Sequence, residues 1–148
     1  MLSWEFPPHV VGGLGKHVLE LVPALIEDGV EVHLVTPRLG GGVAREPLWL
    51  PDGSRAGNGS LVYRVDAGHD IGDFFTNTWH DNIEVEGFCS KLIRHEAGFD
   101  LLHVHDWLPG FAGVALKHDF NLPLRQRGQK CSLREEDTFA TLIRAHRR

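Results

Sequence analysis

The chain has 148 residues, which is one domain's worth. Its 42% hydrophobic and 24% charged residues exclude wholesale disorder and collagen-like character. A net charge of −5 argues against nucleic acid or an anionic membrane as the main partner, and no apolar run reaches the roughly 20 residues of a membrane helix. The charge is unevenly spread: residues 1–124 carry 8 basic and 17 acidic side chains, residues 125–148 carry 7 and 3. The start, with neither a basic region nor an apolar run, has no secretory pattern. The two cysteines, Cys89 and Cys131, are too few for a disulfide framework. A reducing, cytoplasmic setting is therefore expected.

Met1–Trp4 reads as the end of a first strand. Pro7-Pro8 and Gly12-Gly13-Leu14-Gly15 follow as a turn. Leu14, Val18, Leu21, Val22 and Leu25 recur at helical spacing and predict a helix from about Gly13 to Asp28. Gly29 falls where a left-handed cap is expected, and Pro23 predicts a kink. Val30–Val35 alternates and is rich in β-branched residues, so it reads as the second strand of a βαβ unit. Residues 37–60 read as a loop. Leu61–Val65 reads as a strand. Asp73–Ala97 reads as a helix, with Phe88, Leu92 and Ile93 as its buried stripe. Leu101–His105 reads as a strand and Pro109–His118 as a helix. The alternation defines an α/β class: a doubly wound parallel sheet with helices on both faces.

That sheet is expected to be incomplete. The first strand is short. After Leu124 the chain turns to Arg125-Gln126-Arg127-Gly128-Gln129-Lys130, which does not suit a buried parallel strand. Residues 132–148 are weakly periodic in Leu133, Phe139, Leu142 and Ile143 and predict an amphipathic helix unlike the rest.

Two constellations can carry chemistry. The glycine turn opens a helix, where unpaired N–H groups and close backbone approach favour phosphate. It matches neither the dinucleotide nor the P-loop spacing, and a plain tight turn explains it equally well. His103-Val104-His105-Asp106-Trp107 ends a strand. Ligands of open α/β sheets bind beyond the carboxyl ends of strands, so the two segments should share one edge. Asp and His suit sugar hydroxyls, and Trp107 offers a flat apolar face. The competing readings are capping for Asp106 and burial for His103. The His-x-His-Asp run lacks further ligands at metal spacing, so no metal is expected. Trp79-His80-Asp81-Asn82 sits near a helix start and is read either as a cap or as part of the same cleft.

Ser3-Trp4-Glu5-Phe6-Pro7-Pro8, Gly12-Gly13-Leu14-Gly15, His103–Trp107 and Ala115-Leu116-Lys117-His118, taken together, resemble the N-terminal half of GT-B glycosyltransferases. Within that class the glycogen/starch synthase-like group of retaining enzymes (families 4 and 5) is the nearest in pattern. The resemblance covers residues 1–124 and implies an acceptor-side domain of the starch synthase catalytic type. It implies transfer of a glucosyl unit from ADP- or UDP-glucose to an α-glucan with retention, with no cofactor and no obligatory metal. Carried over by position, Gly12, Gly13 and Leu14 approach the donor, and His105, Asp106 and Trp107 face the sugar. Asp106 is a substrate-positioning candidate, and no residue is assigned as certainly catalytic. A missing C-terminal domain would be the natural partner, so the chain alone is expected to be inactive. A non-catalytic carbohydrate-binding half-domain, or a truncated product without function, is the alternative. Bacterial glycogen synthases carry a lysine two residues before the paired glycines. Here that residue is Val10, and Lys16 is not assigned its role, which favours the wider group of relatives. The composition change after Leu124 leads to the expectation that 125–148 is an unrelated basic tail, out of frame, and that the start is late.

Overall fold

The computed structural model describes residues 1–67, 70–96, 98–127 and 143–145. Its strands are β1 (Leu2–Ser3), β2 (Val30–Pro37), β3 (Arg45–Pro47), β4 (Leu61–Val65), β5 (Leu102–His105), β6 (Leu124–Arg127) and β7 (Ile143–Ala145). Its helices are α1 (Gly13–Glu27), α2 (Phe74–His95) and α3 (Gly110–Phe120). The main sheet runs β3-β4-β2-β1-β5-β6. All pairs in it are parallel except β3 with β4. β7 lies off this path and pairs antiparallel with Val30–Val32 of β2. From β4 to β6 this is the strand order of a Rossmann-like sheet.

The alternation of β2 decides which helix covers which face. Val32 and Leu34 pack with Val18, Val22 and Ile26 of α1. Val35 points the other way, into a core with Val85, Cys89 and Leu92 of α2 and Ala112 and Leu116 of α3. Of the predicted α1 stripe Val18 and Val22 are buried, joined by Gly15 and Ile26, whereas Leu14, Leu21 and Leu25 pack only at its margin. The helix runs through Pro23, and Gly29 takes φ +84° after its last turn. In α2 the stripe is Thr78, Asn82, Val85, Cys89 and Leu92, at helical spacing. Leu92 is in the stripe as expected, whereas Phe88 and Ile93 pack only at its margin.

Several sequence expectations are corrected. The 37–60 segment contains β3, a three-residue edge strand too short and too polar to announce itself. Pro109 stands just before α3 rather than in its first turn. Leu124–Arg127 does form a parallel strand, β6, paired residue for residue with Leu102–His105. An edge strand needs only one neighbour, and Arg125 is exposed there, so its polarity is no obstacle. Of the predicted helix over 132–148, Ile143–Ala145 is strand instead; the remainder, like Cys131, lies outside the described residues.

Candidate functional site

The order places the chain reversal between β1 and β5, the point where a doubly wound sheet opens a crevice. Ser3 pairs with His105 in parallel register. The glycine loop after β1 and the Asp106-Trp107 loop after β5 therefore leave the sheet side by side.

The first loop is closed by its own anion. The Glu5 carboxylate accepts N–H groups from Val11 at 3.1 Å, Gly12 at 3.0 Å and Gly15 at 3.2 Å through one oxygen. Burial pushes the Glu5 carboxyl up, but the three amides outweigh it and hold it below the usual carboxylate value. A Cβ on residue 15 would lie 2.8 Å from a Val10 methyl and 2.9 Å from the Glu5 oxygen, so a larger residue there would push both side chains aside. Of the three donor-side positions, Gly12 thus has its amide occupied. Gly13 and Leu14 begin α1, where first-turn N–H groups have no partner within the helix. Further along, Arg64 pins the loop from β4. Its guanidinium donates to the Pro7 carbonyl at 2.7 Å and the Val43 carbonyl at 2.9 Å, and pairs with Glu46 at 2.6 Å. The Pro7–Pro8 bond that it anchors is cis.

The second loop is open. Asp106 has φ +74°, a conformation costly for a residue with a Cβ but tolerated best by Asp and Asn. Its carboxylate accepts the Trp107 N–H at 2.7 Å, and its carbonyl accepts from Gln126 of β6 at 3.1 Å. Asp106 does not cap α3. Trp107 is 48% exposed.

His105 is not at the surface. It is fully buried, against the His17 ring of α1 at 5.5 Å between ring centres. The cause is topological: β5 is covered on both faces, so both parities of its side chains are inside. The expected sugar contact through His105 is therefore withdrawn. His103, its ring centre 4.0 Å from that of His105 and tilted by 41°, is buried too, and burial above all holds it neutral, far below the usual imidazole range.

Trp79-His80-Asp81-Asn82 lies in the second turn of α2, not at its start. Asp73 caps that helix, accepting the Thr76 N–H at 2.9 Å. Asn82 is a cap for a different helix. Its oxygen accepts the Ala112 N–H of α3 at 2.9 Å, and its amide donates to the Leu108 carbonyl at 2.7 Å. Trp79 points outward against Phe111 of α3, ring centres 5.1 Å apart. Among the described residues no group of three or more His, Cys, Asp or Glu side chains is placed to hold a metal ion.

Sequence reasoning assigned no role to Glu5, Arg64, Phe74, Phe75 or Phe111. For the aromatics spacing misleads: Phe74 stands four residues before Thr78 and continues the α2 stripe, yet Phe74, Phe75 and Trp79 are all exposed at the start of the helix. For Arg64 there was none, because a cation alternating within a strand reads as solvent-facing.

A Rossmann-like half-sheet with a glycine loop and an Asp-Trp loop at its switch point is an α/β frame that suits a sugar transferase. The comparisons agree: residues 11–125 match the model of Glycosyltransferase Family 4, and the chain belongs to that family. It is similar to an uncharacterised glycosyltransferase of Methanocaldococcus jannaschii, 33% identical over 126 residues, covering 85% of this chain and 29% of the relative. It is 30% identical over 133 residues to glycogen synthase of Mycobacterium tuberculosis, covering 84% and 31%. It is 31% identical over 122 residues to D-inositol 3-phosphate glycosyltransferase of Jonesia denitrificans, covering 76% and 26%. The chain thus spans under a third of the length of these relatives. It corresponds to an N-terminal, glycogen synthase-like half of a GT-B fold. Among the described residues no helix is long and apolar enough to cross a membrane.

Proposed function

We propose that this domain is the acceptor side of a retaining glycosyltransferase that moves a glucosyl unit from ADP- or UDP-glucose to an α-glucan. The observation that carries the reading is the pairing of Ser3 with His105, which sets the glycine loop and Asp106-Trp107 at one crevice. In this reading a departing nucleoside diphosphate gains charge, and the first-turn amides of Gly13 and Leu14 stabilise it. Asp106 orients an acceptor hydroxyl and Trp107 supports a sugar ring. No cofactor is needed, since the sugar nucleotide is itself a substrate. The described residues supply one wall of a cleft, so the 148-residue chain binds glycan without transferring glucose.

The test is affinity electrophoresis of the full chain in glycogen-containing gels, beside an assay with radiolabelled ADP-glucose. Retardation that Trp107→Ala abolishes, with no label incorporated, is the expected result. Migration unchanged by glycogen would overturn the acceptor-side role, and incorporation of label would overturn the inactivity of the chain alone.

A further inference from the structure

The outer side of α2 and α3 carries an apolar face that the domain's own core leaves unused. Phe75, Trp79 and Ile83 stand four residues apart on α2. They form a second stripe, turned by about 100° from the buried one of Thr78, Asn82, Val85 and Cys89. A helix needs one such stripe to pack against its domain. Phe111 and Val114 continue the face on α3, with the Trp79 and Phe111 rings in contact across the two helices. These five residues and Phe74, whose ring centre is 5.7 Å from that of Phe75, are between 42% and 73% exposed. At about 150–250 Å² for a fully exposed ring and less for the aliphatic side chains, the face amounts to roughly 500–750 Å². The largest apolar patch of an ordinary monomer is about 300–600 Å². The face also has relief. Trp79, Ile83, Phe111 and Ala115 line a hollow of about 140 Å³. A dry cavity of about 150 Å³ holds a benzene ring. Phe75 stands out as the most exposed ring of the face.

We infer that this face is a two-fold interface between two copies of the chain, in which the Phe75 ring of each seats in the hollow of the other. Three observations select a second copy as the occupant. The first is that knob and hollow lie on one surface. Phe75 precedes Ile83 by two helical turns, about 12 Å along α2, with Trp79 midway. A two-fold axis beside Trp79 exchanges the two ends, so both hollows fill at once, as an isologous contact requires. The second is area. Two such faces remove roughly 1,000–1,500 Å² together, which reaches the size of specific interfaces, about 1,200–2,000 Å². The third is charge. Side chains near a two-fold axis meet their own copies, so charge there repels. Among the described residues lining the hollow and the groove beside it, only Glu86 is charged. Its carboxylate accepts from the Ser90 hydroxyl at 3.4 Å. It lies about 10 Å along the helix from Trp79, so its two copies stand on the order of 20 Å apart, beyond a Debye length of about 8 Å. The face runs down the helix flanks, from Trp79 to Ile83 and from Phe111 to Ala115, away from the crevice at the strand ends. A companion half across that crevice meets the loops and leaves this face open. Trp107 touches only its margin, 6.2 Å from Phe74 between ring centres, so the interface stands independently of the glycan reading.

The test is sedimentation equilibrium of the full chain over a range of micromolar concentrations. The variants are Phe75→Ala, which removes the knob, Ala115→Leu, which fills the hollow, and Trp79→Glu, which puts charge at the axis. Trp49→Glu, at an exposed ring off this face, is the control, and circular dichroism with urea unfolding checks each fold. The expected result is a mass that rises with concentration and levels off at two chains. Phe75→Ala and Ala115→Leu each weaken the dimer at least tenfold, Trp79→Glu at least a hundredfold, and Trp49→Glu leaves it unchanged. A wild type that stays monomeric throughout would overturn the interface and leave the glycan reading untouched. So would a dimer that Trp79→Glu does not weaken, since its contact lies elsewhere. A mass that climbs past two chains without limit would overturn the closed two-fold. A monomer that binds phosphatidylcholine vesicles through Trp79 would make the face a lipid contact and overturn the second copy as its occupant.

Discussion

The two loops at the switch point leave neighbouring strands at the same level and are built in opposite ways. The glycine loop after β1 is satisfied by the protein itself: Glu5 takes three of its amides and Arg64 of β4 holds its Pro7 carbonyl. The Asp106-Trp107 loop is satisfied only locally and presents an indole to solvent beside four further exposed rings. A glycine-rich turn before a helix is therefore not by itself a vacant anion site. What matters is how many first-turn amides are left once the protein's own acceptors are placed. Here those are Gly13 and Leu14, whereas the aromatic side is open without rearrangement.

Each loop can be broken without the other. The largest effect is expected for Arg64→Met, which leaves the Pro7 and Val43 carbonyls and Glu46 without their donor. A loss of about 3 kcal/mol in denaturant unfolding is expected, with the Asp106-Trp107 loop intact. Next comes Asn82→Ala, which strands the Ala112 N–H and the Leu108 carbonyl and should cost about 2 kcal/mol. It loosens the opposite side: chemical unfolding should show the loss, and maltoheptaose affinity should fall with it.

His103 is buried in β5, two residues before His105. Its folded pKa is depressed, so the unfolded state binds the proton more readily below about pH 6.5. The stability it contributes is complete above that pH and declines as pH falls. At pH 5.5 the decline is about 1.4 kcal/mol, one pH unit's worth. Urea midpoints at pH 7.5 and 5.5 should show that extra drop in the wild type and lack it in His103→Leu. An equal drop in both would assign the acid sensitivity to other groups. The smallest expected effect is that of Glu5→Gln, which keeps an acceptor but removes the charge at a solvent-accessible spot. A stability change under about 1 kcal/mol is expected, together with measurable weak binding of inorganic phosphate that the wild type lacks. Phosphate binding equal in the two proteins would remove Glu5 as the resident anion.

Much of this arrangement was written in the local pattern. Val18, Val22 and Leu25 announced α1, Leu61–Val65 matched β4 at both ends, and the Gly turn and His103–Trp107 were correctly set at one edge. Local pattern could not assign burial in a strand covered on both faces. His105 reads as a sugar ligand until α1 is seen above it. Nor could it anticipate contacts between distant segments: Asn82 caps a helix thirty residues away, and Arg64 reaches fifty-seven residues back to Pro7. β6 was hidden because an edge strand tolerates Arg125 and Gln126 where a central one would not.

The most direct test of the central claim, that the Asp106-Trp107 side of this edge holds glycan, uses the four tryptophans as reporters. Trp4 is buried just after β1, Trp49 is exposed after the edge strand β3, and Trp107 is exposed beside Asp106. Their indole N–H resonances can be followed in a nitrogen-15 spectrum as maltoheptaose is added. The account predicts a saturable shift of Trp107, with Trp4 and Trp49 stationary. Shifts led by Trp49, or none at all in a folded chain, would contradict it.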